Sequence, residues 1–234
     1  MITIIIPVYN EKKYIKTLLN KVIELKGVKI QIIVVDDGSR DGSTQILKNE
    51  FGNNKKINKI IFHQKNSGKG SAIKSALKYI KGKYVIIQDA DLEYDPRDII
   101  RIYKFIRLKK YSAVYGSRVL NKNKYENTKN FTHLVRIWGN IFLTKISNLI
   151  NNQNLTDAHT CYKMFESKIL KEINLKENGF AFCPEITTKL SKKNYKIVEI
   201  PISYKGRTYN NGKKITLIDG LIALTCLVKY RIFD

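Results

Sequence analysis

An α/β fold, with a mainly parallel central sheet flanked by helices, is predicted by three features of the sequence. Short runs of β-branched and other apolar residues recur at Ile2–Ile6, Ile30–Val35, Ile57–Phe62 and Tyr84–Gln88. A helical stretch follows each run. Between run and helix stands a cluster of Gly, Asp, Asn, Pro or Ser: Pro7–Glu11, Asp36–Ser39, Asn66–Gly70 and Asp89–Asp91. Runs without polar alternation belong to strands buried on both faces, and strand–helix repeats with short connections give parallel strands covered on both sides.

The elements follow in order. Pro7 ends the first run, and Leu18, Leu19, Val22, Ile23 and Leu25 give the next helix an apolar side that Gly27 stops. Asp41-Gly42-Ser43 opens a helix over Thr44–Phe51, and Ser71–Ile80 is helical up to Gly82. Pro96 is suited to the first turn of the helix over Ile99–Leu108. A strand at Ala113–Tyr115 leads to Gly116-Ser117-Arg118, and the polar, basic stretch Asn121–Asn130 reads as a surface loop. Phe131–Ile150 is a long helix with apolar residues almost all round, interrupted by Arg136 and Lys145, and is either a core helix or one lying in a membrane interface. Asp157–Phe165 reads as a turn into a strand, Glu185–Leu190 as a helix, and Ile197–Ile200 as a last strand. Tyr204–Ile215 is a basic loop, and Leu217–Tyr230 closes the chain as an amphipathic helix.

The 234 residues suffice for one domain with a sizeable core. Forty-three Lys and Arg against twenty Asp and Glu leave a net charge of +23, which suits nucleic acid, anionic headgroups or phosphorylated small molecules. The basic residues are scattered, with no helix-turn-helix, RNA-recognition or zinc-finger pattern, so no specific nucleic-acid partner is expected. Cys161, Cys183 and Cys226 form neither a disulfide framework nor a zinc spacing, and a reducing compartment fits. The N-terminus lacks signal-peptide features, and no apolar run reaches the ~20 residues of a spanning helix. A cytoplasmic protein touching membrane only at its surface is expected.

In open parallel sheets ligands sit outside the carboxyl ends of the strands, where all four polar clusters fall. They are therefore read as one site. Asp89 and Asp91 point the same way on extended backbone and can share one hard cation. A lone D-x-D is more often a solvated acidic turn; the other three clusters favour the site. With hard oxygen ligands and no His or Cys nearby, the cation is Mg²⁺ or Mn²⁺.

The series P-V-Y-N-E (7–11), D-D-G-S-R-D-G (36–42), N-S-G-K-G (66–70), D-A-D-L-E (89–93), G-S-R (116–118), D-x-x-x-C-Y-K (157–163), E-I-P-I-x-Y (199–204) and R-x-x-x-x-G-K-K-I (207–215) resembles the family 2 glycosyltransferases. It is most similar to the dolichyl- and polyprenyl-phosphate sugar synthases. The resemblance covers nearly the whole chain, and its specificity lies in the order of the motifs. It implies a Rossmann-like GT-A fold, one domain, with residues 1–118 binding a UDP- or GDP-sugar. Residues 119–216 would form the acceptor half and basic lid loop, and 217–234 an amphipathic C-terminal helix.

The same resemblance assigns roles. Pro7, Tyr9 and Glu11 would line the base and ribose pocket, with Asp37 bonding base or ribose, Asp36 orienting the loop and Ala90 beside the nucleotide. Lys69 would approach a phosphate, or be solvated. Asp89, Asp91 and Glu93 would hold the metal, and Arg207, Lys213 and Lys214 would cover the diphosphate. For a polyprenyl or dolichyl phosphate acceptor, Arg118 and Arg136 would position the phosphate, and no strong base is needed. For a glycan hydroxyl, Asp157 or Glu185 would take the proton, if they are not structural anchors, with His159 a weaker candidate. His63 and His133 show no ligand spacing. Many such synthases carry transmembrane helices after this domain; here docking on an anionic membrane surface would fall to Phe131–Ile150, Leu217–Tyr230 and the positive surface. A nucleic-acid-binding module and an inactive sugar-nucleotide sensor are the competing readings.

Overall fold

The protein is described by a computed structural model over residues 1–120, 131–207 and 217–233, with side chains for 1–120, 137–207 and 218–233. In chain order the elements are β1 (Ile2–Val8), α1 (Ile15–Ile23), β2 (Ile30–Asp36), α2 (Ser43–Ile46), β3 (Lys59–Phe62), α3 (Lys69–Leu77), β4 (Tyr84–Ile87), α4 (Arg97–Lys109), β5 (Ala113–Ser117), α5 (Phe131–Asn151), β6 (Lys163–Glu166), α6 (Ser167–Glu172), α7 (Phe182–Lys192), β7 (Ile197–Pro201) and α8 (Leu217–Ile232). The expected helix over 44–51 is α2 followed by a widened π turn at Leu47–Phe51. α6, too short to show a period, escapes sequence reading.

The seven strands form one sheet in the order β3-β2-β1-β4-β6-β5-β7. Every pairing is parallel except those of β6, which runs antiparallel to both β4 and β5. Alternate residues feed two cores. Ile2, Ile4 and Ile6 of β1 pack with Leu18, Leu19 and Val22 of α1 and with Ile99, Ile102 and Ile106 of α4. Ile5 of β1 joins Ile33, Val35, Val85 and Ile87 against Ala72, Ile73 and Ala76 of α3 and Phe182, Ile186 and Leu190 of α7. Burial on both faces explains why these strands read as unbroken apolar runs.

The reversal of β6 matters for function. Register pairs Lys163 with Tyr115 near the end of β5, so β6 begins at the edge where the parallel strands finish. The preceding segment, 157–162, thereby reaches the mouth formed by the ends of β1, β2, β4 and β5.

Candidate active site

A cleft of ≈ 380 Å³ opens at this mouth. Its walls include Pro7, Tyr9 and Glu11 after β1, Asp37 after β2, Lys69 at the start of α3, and Asp89, Ala90, Asp91 and Glu93 after β4. Arg118 after β5, His159 and Cys161 before β6, and Tyr204 and Arg207 beyond β7 complete it. Eleven residues expected from sequence at a nucleotide, metal or acceptor site thus line one cavity.

Chain geometry fixes these groups. Gly38 has φ +72°, and a Cβ there would lie 2.6 Å from the Lys65 carbonyl carbon, so the turn after β2 excludes any larger residue. Asp37 accepts from the Ser67 N–H (3.0 Å) and Gly68 N–H (2.7 Å), and His63 Nδ1 lies 2.6 Å from its Oδ1. His63 Nε2 is in turn 2.9 Å from Ser75 Oγ. The sequence gives no hint of this His63 contact, because it depends on β3 lying beside β2. Asp36 does not face the cleft. It is buried, and accepts from the Ser39 N–H and the Thr44 hydroxyl, which ties it into the loop after β2.

Two cations of the chain sit among the acids. Lys69 Nζ is 2.5 Å from Asp89 and donates to Cys161 Sγ at 3.1 Å. Burial opposes charge on both Lys69 and Asp89. Their mutual attraction overcomes it, raising the lysine well above its ordinary range and lowering the carboxyl. Arg207 reaches Glu11 (2.9 Å), Asp91 (3.0 Å) and Glu93 (3.6 Å). Asp91 is nevertheless pushed up to about 7, by burial first and then by the charges of Asp89 and Glu93, with Arg207 only partly offsetting them.

Glu93 accepts from the Tyr204 hydroxyl (2.8 Å) and the Arg207 backbone N–H (2.7 Å), so it ties the 204–207 segment to the β4 end. Among the described residues no three His, Cys, Asp or Glu side chains converge as a metal cage, so Asp89, Asp91 and Glu93 do not form a closed ligand set by themselves. The residues still fit a divalent cation in another way. Mg²⁺-type sites commonly take one or two carboxylates and draw further ligands from substrate phosphates. Asp89 and Asp91 supply that pair, and their crowded negative charge already draws a guanidinium and an ammonium.

Arg118 is gripped by Asp157 through Nε (2.7 Å), Nη2 (2.7 Å) and the backbone N–H (3.0 Å), and its guanidinium stacks 5.1 Å from the Tyr204 ring centre. Asp157 is fully buried and also accepts from Asn140 on α5. Burial would raise its pKa, but Arg118 beside it holds the carboxyl down at about 2. It is therefore no proton acceptor near neutrality, and the expected base is corrected to an anchor for Arg118. Glu185 lies outside the cleft, fully buried. It accepts from the Lys176 and Glu177 N–H groups and pairs with Lys189 at 2.9 Å, again an anchor and not a base. His159 lines the cleft with its Nε2 buried and unpartnered, and its pKa is lowered to about 4 by burial, Lys163 and Arg118. The Arg136 side chain, Lys213 and Lys214 lie outside the described residues. Tyr94 and Phe180 also line the cleft; only their place in the folded chain reveals them.

The Glycosyl transferase family 2 model matches residues 3–174. The chain is a family 2 glycosyltransferase. This glycosyltransferase is 31% identical to the UDP-N-acetylglucosamine–dolichyl-phosphate N-acetylglucosaminyltransferase of Methanococcus voltae, over 94% of this chain and 92% of that protein. It is 28% identical to the dolichol-phosphate mannosyltransferase of Pyrococcus furiosus, over 92% of this chain but only 60% of that protein. Its fold is that of the glucosyl-3-phosphoglycerate synthase of Mycobacterium tuberculosis solved with Mn²⁺, UDP and phosphoglyceric acid (TM-score 0.76, 14% identity, 100% of this chain and 79% of that one). The GT-A fold expected from the motifs is thus the fold observed.

Proposed function

We propose that this glycosyltransferase moves a hexose from a UDP- or GDP-sugar to a polyprenyl or dolichyl phosphate, with inversion, using Mg²⁺ or Mn²⁺ held by Asp89 and Asp91. The observation that carries the acceptor class is the state of the cleft's carboxylates. Asp91 is taken up by the cation in this reading, Glu11, Asp37, Asp89 and Glu93 are each bonded to a cation or an N–H of the chain, and Asp157 is locked under Arg118. A hydroxyl acceptor needs a base to take its proton, whereas a phosphate oxygen is already anionic. The relatives named for dolichyl phosphate acceptors point the same way.

In this reading Tyr9, Pro7 and Glu11 border the nucleoside, and Asp37 shapes the loop beside it. The bound cation supplies a Lewis acid that offsets charge on the departing diphosphate. Lys69 adds a second positive charge on the Asp89 side. Asp157 occupies two of the five N–H donors of the Arg118 side chain, and the others are available to an acceptor phosphate. One acceptor oxygen bonds to the anomeric carbon as the bond from that carbon to the diphosphate oxygen breaks, and the electron pair leaves with the nucleoside diphosphate.

The test offers a short polyprenyl phosphate with Mn²⁺ or Mg²⁺ and, separately, UDP-glucose, GDP-mannose and UDP-N-acetylglucosamine. Mass spectrometry is then used to look for a glycosylated lipid phosphate. Product that disappears with a chelator and in Asp91→Ala is the expected result. Metal-dependent donor binding without lipid product would move the acceptor to a glycan hydroxyl. Absence of donor binding would remove the reading of Asp89 and Asp91.

A further inference from the structure

The segment between α5 and β6 is held from several directions. The Lys163 ammonium, fully buried, donates to the Ala158 and Thr160 carbonyls at 2.7 Å each, on either side of His159. The Thr144 hydroxyl of α5 accepts from the Ala158 N–H (3.2 Å), and the Tyr94 hydroxyl from the Cys161 N–H (3.1 Å). This frame leaves His159 little freedom. Its ring borders the cleft, yet the buried Nε2 has no hydrogen-bond partner among the described residues. Buried polar atoms without a partner are rare in folded chains, and one at the wall of a binding cleft points to a ligand group that completes it. The neighbours of His159 indicate which group. Two residues before it, Asp157 holds Arg118, the residue proposed to meet the acceptor phosphate. Two residues after it, Cys161 meets Lys69, which pairs with Asp89 at the proposed cation site. His159 thus lies, along the chain and on the cleft wall, between the group for the acceptor and the groups for the departing diphosphate. In a transfer from one to the other, that interval belongs to the sugar. Phe180, 38% exposed and also on the cleft wall, offers an apolar ring that the C–H face of a pyranose can cover.

We propose that His159 is a specificity-determining residue, whose ring nitrogen hydrogen-bonds a hydroxyl of the transferred sugar. This rests on the nucleotide-sugar reading of the cleft and deepens it. A neutral imidazole has one donor and one acceptor nitrogen, and a hydroxyl can both donate and accept, so the two match in either tautomer. A phosphate would call for a cation at this position. Burial first, then the charges of Lys163 and Arg118, outweigh Asp157 and hold the ring neutral, with its pKa lowered to about 4. So weak a base does not take a proton near neutrality, which suits recognition and not proton transfer. A sugar lacking the hydroxyl would leave the buried nitrogen unpaired again, and a site of that kind rejects such a sugar strongly.

Titration calorimetry with Mn²⁺ compares UDP, GDP, UDP-glucose, GDP-mannose and UDP-N-acetylglucosamine on the full chain. In His159→Ala, affinity for the nucleoside diphosphate is expected to match that of the parent protein, which also shows that the variant folds. Affinity for the sugar nucleotide that the parent binds best is expected to fall by about tenfold. His159→Gln, which keeps a donor and an acceptor, is expected to recover part of that loss. An equal loss for nucleoside diphosphate and sugar nucleotide would overturn the proposal and assign His159 to the shape of the cleft. Sugar-nucleotide affinity in His159→Ala equal to that of the parent would overturn it as well. A parent protein that binds none of the five would remove the nucleotide-sugar reading and this inference with it. That outcome is seen before any substitution is made, so the two failures are told apart.

Discussion

Arg207 touches three carboxylates at once, Glu11, Asp91 and Glu93, and so stands where a divalent cation and a diphosphate would meet. A guanidinium and a divalent cation on Asp91 would crowd like charges at one carboxylate, so they compete in the nucleotide-free protein. Arg207→Ala is therefore expected to bind Mn²⁺ about tenfold more tightly without nucleotide, read by titration calorimetry, while transfer slows because a diphosphate contact is lost. Unchanged Mn²⁺ affinity would show that Arg207 does not compete. Asp157 supports a second expectation. Its folded pKa of about 2 lies below the ordinary 3.8, so its pair with Arg118 stabilises the fold above pH ~4, and that contribution is lost as pH falls toward 2. Urea midpoints between these limits should decline less steeply for Asp157→Asn, which starts from a less stable protein.

Among the elements, the sheet was legible because strands such as Ile2–Val8 and Ile30–Asp36 are buried on both faces, which writes an unbroken apolar run. The polar clusters at their ends were legible as one site because parallel topology brings them together. What stayed hidden depends on neighbours far along the chain. His63 acquires meaning only through Asp37, Glu93 only through Tyr204 and Arg207, and Glu185 reads as a possible base until its burial against Lys189 is known. α5 shows the same limit, since apolar residues nearly all round concealed that its polar minority faces inward. At the start of α3, Gly70 packs against the 177–178 backbone, and a Cβ there would fall 2.3 Å from the Glu177 carbonyl oxygen. Gly70→Ala is expected to cost about 1–3 kcal/mol in urea unfolding and to disturb Lys69 beside it. Stability equal to the parent protein would mean that the 177–178 loop yields freely.

On the scale of the whole molecule, +23 predicts binding to any polyanion. Retention on DNA is expected, steeply weakened by salt and indifferent to sequence, as measured by binding isotherms on unrelated duplexes. A sequence preference would reopen the nucleic-acid reading. The single sheet also governs how the chain can be divided. β6 belongs by sequence to the segment after residue 118, yet lies between β4 and β5, which precede it. A cut after Arg118 therefore leaves one fragment with a gap in its sheet and the other with a strand lacking both partners. Neither piece should fold alone, but the two expressed together should find each other. The enzyme is thus a natural basis for a split reporter, whose reassembly restores one sheet and with it one cleft.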